Sequence, residues 1–192
     1  MPDVEAYLRD SNIDTGRRAP SPSGPDPFNV GAQTFWWERN DIKVDSPAYQ
    51  FANLGDVDFE IFEDDHGVAT AGLQHENTQR NRTVRVYVQV HNRGPVAAAN
   101  VAVKVFYASA ALGLPNLPAG FWTNFPNNVL AGNSPWQQIA PHKTVASVAC
   151  GRPEVMPFEW PVPPAQAGHS CLLAIVSAQN DTLATAELNV AS

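Results

Sequence analysis

Residues 83–91, which read TVRVYVQVH, alternate strictly between valine and a polar or aromatic side chain. In an extended chain, the four valines share one face. This period of two is typical of a strand in an antiparallel sheet with one face in the core. The turn NRGP (92–95) follows, in which Gly94 is expected to allow a hairpin. Residues 100–107, NVAVKVFY, repeat the alternation, so the two stretches predict consecutive β-strands.

Further stretches of the same type follow along the chain, separated by Pro, Gly and Asn. A first strand is predicted over residues 35–44, closed by Ser46 and Pro47. Other strands are predicted over 144–149, 155–160, 170–177 and 182–190. Seven or eight short strands without a helical pattern predict an all-β fold, an immunoglobulin-like antiparallel β-sandwich. Its predicted core includes Val86, Val88, Val101, Val103, Trp160, Leu172 and Ala174.

We expect residues 1–34 to form an extended, Pro-rich N-terminal arm and residues 35–192 to form the sandwich. Four prolines fall between Pro20 and Pro27, and proline is excluded from helix and ladder interiors. The arm has too few apolar residues for a core of its own. We therefore expect it to dock on its own sandwich or on a neighbouring copy. The expected assembly anchors are Tyr7, Leu8, Phe28 and Val30.

The chain of 192 residues is acidic, and its second half carries few charges. The formal net charge of −7 argues against a surface that binds nucleic-acid phosphates. No run of about 18 apolar residues is present, so no membrane insertion is expected. Residues 97–192 carry three basic and four acidic side chains. Such a surface is either solubilised by hydroxyl and amide groups or partly covered by other subunits.

The first residues, MPDVE, lack the basic and apolar regions of a signal peptide. The chain is therefore expected in the cytosol, or outside the cell by a route that needs no such signal, unless a leader was removed. Cys150 and Cys171 do not decide the compartment, because they form either a disulfide or two buried thiols.

Two acidic segments are candidates for a calcium site. Residues 10–16, DSNIDTG, resemble the start of a calcium loop, but the glycine stands one position late and no glutamate closes the loop. In the second segment, clustered carboxylates repel one another unless they are paired or bound to metal. The candidate ligands there are Asp56, Asp58, Glu60, Asp64 and Asp65. The alternative is a solvated acidic face, in which case we expect no cofactor.

No catalytic motif is present in the sequence, and we predict that the protein is not an enzyme. It contains neither a Gly-x-Ser-x-Gly elbow nor a His-Glu-x-x-His pair. Residues 168–171, GHSC, place a histidine, a serine and a cysteine side by side. In a strand, His169 and Ser170 point to opposite faces, so they cannot pair as base and nucleophile.

Residues 109–140 form a long segment rich in Pro, Asn, Gly and aromatic side chains. A loop of this length is usually functional or packed on itself. Exposed aromatic rings stack on carbohydrate, which makes four residues candidates for ligand binding: Phe121, Trp122, Phe125 and Trp136. The alternative is that these rings pack beneath the loop.

The residues around the Asn-Arg-Gly turn form a recognisable pattern. A strand ends in Asn-x-Gly (VYVQVHNRG, 86–94), and a short alanine turn leads into a second valine-rich strand (AAANVAVKVFYA, 97–108). This pattern resembles the bacterial CARDB-type immunoglobulin-like domain. Three other segments fit relatives of that class: WERNDIKV (37–44), FEWPVP (158–163) and GHSCLLA (168–174). The resemblance, over residues 35–190, implies an immunoglobulin-like fold and an extracellular accessory or adhesion module.

Two functions therefore compete. The charge-poor second half and the arm favour a non-catalytic structural or assembly subunit that associates with other copies of itself. The alternative is an accessory or adhesion module that binds carbohydrate or a cell surface through residues 109–140. The size of the protein across concentrations distinguishes them, because only self-association predicts larger species.

Overall fold

The computed structural model describes residues 3–9, 24–25, 33–34, 40–55, 57, 59, 72–111, 113–166 and 168–181. Within these residues there are ten β-strands and no helix. The strands are β1 (Ala6–Tyr7), β2 (Gly24–Pro25), β3 (Gln33–Thr34), β4 (Ile42–Asp45), β5 (Thr83–Asn92), β6 (Ala98–Ser109), β7 (Trp136–Gln138), β8 (Lys143–Val148), β9 (Glu154–Pro161) and β10 (Ser170–Ser177).

Two antiparallel sheets pack face to face, each built around one long strand. In the first sheet, β5 pairs with β4 and β1 along one side and with β9 along the other. In the second sheet, β6 pairs with β10 along one side and with β7 and β8 along the other. The predicted all-β sandwich is confirmed at this level.

The core between the sheets consists mainly of the valines that the alternation singled out. The valines of β5 and β6 contact Trp160 and Ala174 there, and the Trp160 ring lies 4.8 Å from that of Tyr107. Of the predicted core residues, Leu172 alone is only partly buried. It lies near the start of β10, where it lines a cavity between the sheets.

The predicted hairpin at residues 92–95 is wrong. Strands β5 and β6 lie in different sheets, so the turn carries the chain across the sandwich. The alternation was nevertheless correct, because both strands turn their valines into the same core from opposite sides.

The other faces of β5 and β6 are also covered, in contrast to the half-exposed strands expected from the alternation. On β5, the buried Tyr87 packs with Phe59 and Leu73 on the outside of the first sheet. On β6, the buried Phe106 packs with Phe121 on the outside of the second sheet. Each long strand is therefore a central strand with apolar contacts on both faces.

Two details differ from the predicted pattern. The strand predicted over residues 35–44 is represented by β4, which begins at Ile42; residues 35–39 and the predicted last strand, 182–190, lie outside the described residues. Gly24 and Pro25 pair with Gln33 and Thr34 in a two-residue ladder, although the proline run was expected to remain unpaired. A proline is tolerated at a ladder end because its carbonyl still accepts a hydrogen bond.

Candidate functional site

The N-terminal segment, residues 3–9, closes one edge of the first sheet. Strand β1 pairs with the last two residues of β5. The Tyr7 ring lies 5.4 Å from the His91 ring, and Leu8 packs against the core. These two predicted anchors therefore dock on the sandwich of their own chain. The other two anchors, Phe28 and Val30, lie outside the described residues.

The side chain of Asn92 ties this segment to both sheets. Its Oδ1 accepts hydrogen bonds from the backbone N–H groups of Glu5 and Gly94, at 3.2 and 2.9 Å. Its Nδ2 donates to the carbonyls of Val96 and Val148, at 2.9 and 3.0 Å. All hydrogen-bonding positions of the amide are thus used. Because Val148 belongs to β8, one buried side chain joins the N-terminus, the turn and both sheets.

Gly94 leaves the space through which the N-terminal segment passes. A Cβ atom at this position would lie 2.5 Å from the carbonyl oxygen of Asp3 and 2.6 Å from the Cα of Val4. Any side chain would therefore have to displace the segment. Val96 N–H also donates to the Asp3 carbonyl, at 2.9 Å. The Asn-x-Gly pattern therefore holds the N-terminal segment in place.

A buried ion pair fixes the end of the same segment. Asp41 is fully buried, and Arg9 donates to its Oδ1 from Nε at 2.9 Å and from Nη2 at 2.7 Å. The backbone N–H of Arg9 donates to Oδ2 at 2.5 Å, and His91 Nε2 lies 3.1 Å from that oxygen. Such charge-assisted bonds compensate the desolvation of the carboxylate.

The four aromatic residues predicted to bind ligand divide into two pairs. Phe121 and Trp136 are buried on the outer face of the second sheet, where Phe121 contacts Phe106 at 5.0 Å between ring centroids. Trp122 and Phe125 are half-buried, with centroids 5.9 Å apart and planes at 57°. The structure thus brings the four rings into one cluster, of which two rings reach the surface.

Lys104 holds the aromatic loop, residues 110–135, against β6. Its side chain is 2% exposed, and Nζ donates to the Pro126 carbonyl at 3.0 Å, to the Asn128 Oδ1 at 2.7 Å and to the Asn128 carbonyl. Asn128 in turn donates to the Phe121 carbonyl at 2.7 Å. Burial lowers the pKa of Lys104. Its three donors are all engaged, so it acts as a clamp.

The outer surface of the second sheet is almost uncharged. We call residues 98–148 and Ser170–Ser177 the neutral sheet; in sequence, they contain two charged residues, Lys104 and Lys143. Lys104 is internal. Among the described residues of the neutral sheet, Lys143 is therefore the one exposed charged residue. The aromatic loop also presents Val129, whose side chain is 92% exposed.

A cavity of about 740 Å³ opens between β4 and β10. Ile42, Val44, Leu172 and the edges of two tryptophans form its apolar wall. Polar groups at its mouth include His75, Glu76, His169 and Cys171.

The residues predicted for metal binding and catalysis do not form a site in the described part of the chain. All five candidate calcium ligands, Asp56, Asp58, Glu60, Asp64 and Asp65, lie outside the described residues, as does the segment 10–16. Among the residues that are described, no three His, Cys, Asp or Glu side chains are arranged to hold a metal ion. Cys150 and Cys171 are free thiols, and burial raises the pKa of Cys171.

Three important residues were missed by sequence reasoning: Asn92, Asp41 and Lys104. For Lys104 the sequence held a signal, because it is the single charged residue between positions 97 and 142 and stands in a valine-rich strand. For Asp41 it held none, because its partner Arg9 is 32 residues away along the chain.

No family model, curated protein or solved structure matches this chain. Over the described residues, no helix has the length and apolar character needed to cross a membrane.

Proposed function

We propose that this protein is a non-catalytic β-sandwich subunit that acts through protein–protein contacts and associates with other copies of itself through the neutral sheet. The observation that carries the proposal is the near absence of charge on that sheet. A typical soluble surface has roughly 25–35% charged groups, whereas the neutral sheet exposes one lysine among its described residues. A low-charge surface is typical of the central part of a protein interface.

Burial of Lys104 strengthens this interpretation beyond what the sequence suggested. Residues 97–192 contain three cationic residues. One of them, Lys104, is internal and bonded to carbonyl oxygens, so it does not contribute a solvated charge to the surface. Val129 adds an exposed apolar side chain next to Asn128, which is held in place by the clamp. A rigid apolar projection on a neutral face suits a contact with another protein.

We also propose that the sandwich is immunoglobulin-like and related to the CARDB-type domain that its sequence resembles. The proposal is supported by the distribution of strands, with β4, β5 and β9 in one sheet and β6, β8 and β10 in the other. The buried Trp160 between the sheets is consistent with it. In such domains the function resides in surfaces and loops, so the fold alone assigns none.

The N-terminal segment is a weaker candidate for the contact between copies. Tyr7 and Leu8 already pack on their own chain, and the close approach of Val4 to Gly94 leaves little room for a looser arrangement. An assembly role for them would require that copies exchange this segment.

Sedimentation velocity across a hundredfold range of protein concentration tests the proposed function. We expect the mean sedimentation coefficient to increase with concentration and to be insensitive to salt, because the contact is uncharged. A single monomeric species over the whole range would refute self-association.

A second candidate function, carbohydrate binding, is supported by the half-buried rings of Trp122 and Phe125. Titration with soluble oligosaccharides, cellohexaose and chitohexaose, should then change the tryptophan fluorescence. The change should be lost in Trp122→Ala and kept in Thr123→Ala, which alters an exposed neighbour. An unchanged spectrum of the unmodified chain would remove this candidate for those two sugars.

A further inference from the structure

We infer that the free edge of β8 is the surface through which two copies associate, by antiparallel pairing of β8 with β8 of a second copy. This inference rests on the proposed self-association and names its surface. An unpaired strand edge offers a row of N–H and C=O groups to another strand. Within the described residues, β8 pairs with β6 on one side only.

The edges of β4 and β9 are occupied or protected, and the end of β10 is bound to another segment. Along β4, the segment around Glu76 covers the edge: Glu76 N–H donates to the Val44 carbonyl at 2.9 Å, and Ser46 N–H donates to Glu76 Oε2 at 2.8 Å. These contacts use groups that a partner strand would need.

The edge of β9 is protected by its own sequence. It contains Pro157 and Pro161, which have no N–H to donate, and the charged residues Glu154 and Glu159. Proline and charge are the usual means by which edge strands avoid pairing with another chain.

At β10, the chain itself turns back beside the strand. Ala178 and Asp181 exchange backbone hydrogen bonds of 3.1 and 3.2 Å across a two-residue turn. Asp181 Oδ2 also accepts a hydrogen bond from the Ala6 N–H, at 2.7 Å, so the turn after β10 is held against the N-terminal segment.

Strand β8, by contrast, carries one of these protections, the charged Lys143 at its first position. Its sequence, KTVASV, contains no proline and no acidic residue, and Thr144, Ala146 and Ser147 are exposed. In the described part of the chain, no backbone hydrogen bond from another segment reaches its free side. Three of its six residues, Thr144, Val145 and Val148, are β-branched, which suits a paired strand.

The charges of β8 favour a second copy in antiparallel orientation. In this orientation a two-fold axis near Ala146 relates the two β8 strands. The single charged residue of each strand, Lys143, then lies opposite the far end of the other strand. The two lysines are then about six residues, or roughly 20 Å, apart along the strands, beyond the screening length of about 8 Å. A parallel pair would bring them side by side.

The size of the contact predicts a weak dimer. A six-residue edge with the neighbouring Val129 is small compared with the roughly 1,200–2,000 Å² buried in stable complexes. We therefore expect association that depends on concentration rather than a permanent dimer.

A charge-reversal experiment tests this inference. The full chain is prepared as the double variants Thr144→Lys/Ala146→Lys and Thr144→Asp/Ala146→Asp. Each alone should dimerise at least about tenfold more weakly, because like charges meet across the axis. An equimolar mixture of the two variants should restore the dimer, since opposite charges then face each other. The control, Ala52→Lys/Ala165→Lys, adds the same charge at exposed sites elsewhere and should dimerise like the unmodified chain.

The possible outcomes test association through β8 separately from self-association in general. If the unmodified chain associates and both charged variants associate equally well, the β8 surface is wrong while self-association stands. If the charged variants weaken but their mixture does not recover, pairing of β8 with itself is wrong. If the unmodified chain is monomeric throughout, both proposals fail. Circular dichroism of each variant verifies that the sandwich is folded.

Discussion

Three buried polar side chains, Asn92, Asp41 and Lys104, hold the irregular parts of the molecule to its sheets. Each makes at least three hydrogen bonds or ionic contacts at its site. A buried polar group left without its partner costs about 1–3 kcal/mol, so these residues restrict the segments they hold to one arrangement. The apolar side chains supply the core, and the polar ones determine where the loops lie.

At Trp160, replacement by alanine should destabilise the protein by about 3–5 kcal/mol, because it leaves a cavity between the sheets. The ring packs on Tyr107 at 4.8 Å between centroids and is surrounded by core valines. Urea denaturation measures the loss. Trp160→Phe should cost less, and a loss below about 1 kcal/mol for the alanine variant would contradict the assigned core position.

Tyr107 should make the fold sensitive to alkaline pH. Burial raises its pKa above 10.0 in the folded chain. At pH values between the unfolded and the folded pKa of Tyr107, the folded state binds more protons than the unfolded state. The contribution of Tyr107 to stability is therefore complete below pH 10.0 and is lost as the pH rises through the folded value.

The variant Tyr107→Phe should accordingly lose less stability than the unmodified chain as the pH increases from 8 to about 11. Urea midpoints measured at several pH values give the comparison. Cys171 and Tyr87, whose pKa values are also raised by burial, contribute equally to both proteins. If the stabilities of the two proteins fell equally with pH, Tyr107 would have the same pKa in the folded and unfolded states.

Among the elements, the two connections that lie on the sheet faces are as much a part of the fold as the strands. The aromatic loop covers β6 with Phe121 and Leu117, and Phe59 and Leu73 cover Tyr87 on β5. Because each sheet is covered on its outer face, its central strand is apolar on both sides. The N-terminal segment completes the first sheet as its edge strand.

Substitution Gly94→Ala should displace the N-terminal segment, because the new Cβ would meet Asp3 and Val4 at about 2.5 Å. We expect a loss of stability of about 1–3 kcal/mol and faster tryptic cleavage after Arg9. The matched control is Gly132→Ala, where no atom lies within 4 Å of the added group. Equal cleavage rates in the two variants would show that the segment does not depend on the space at Gly94.

Substitution Lys104→Met should loosen the aromatic loop while the strands remain paired. The acceptors on Pro126 and Asn128 would lose their donor, at a cost of about 1–3 kcal/mol that loss of the buried charge partly offsets. Proteolysis within the loop and the fluorescence of Trp122 report on its release. The exposed Lys143→Met serves as the control, and identical behaviour of the two would refute the clamp.

At the scale of the whole molecule, the N-terminus lies at the junction of both sheets. Val4 is in the core, Glu5 bonds to Asn92, and Ala6 N–H donates to Asp181 Oδ2 at 2.7 Å. Residues 3–9 therefore dock on the sandwich of their own chain, which is one of the two alternatives that the sequence left open for the arm.

A chain shortened to begin at Gln33 should be markedly less stable than the full chain. It would lose Val4 from the core, and Asp41 would remain buried without Arg9, a loss of about 3–5 kcal/mol for a broken buried pair. Urea denaturation provides the value. If the shortened chain kept its stability but lost its oligomers, the segment would be an assembly element exchanged between copies.

The sequence pattern was sufficient to predict the two central strands, β5 and β6, and the side that each turns to the core. The alternation of valine in β5 and β6 suffices, because a strand period of two places every second side chain on one face. The charge-poor second half was also visible in the sequence, and it led to the proposed self-association.

The neighbours of each strand and the roles of the polar residues became visible in the folded molecule. Residues 92–95 have the composition of a hairpin, yet they cross between sheets, because local turn preference does not specify the sheet that a strand joins. Asp41 with Arg9, and Lys104 with Asn128, are brought together by folding across 32 and 24 residues of chain. The four aromatic residues between positions 109 and 140 gave no indication of which rings pack inward, since that depends on the face of β6 that the aromatic loop covers.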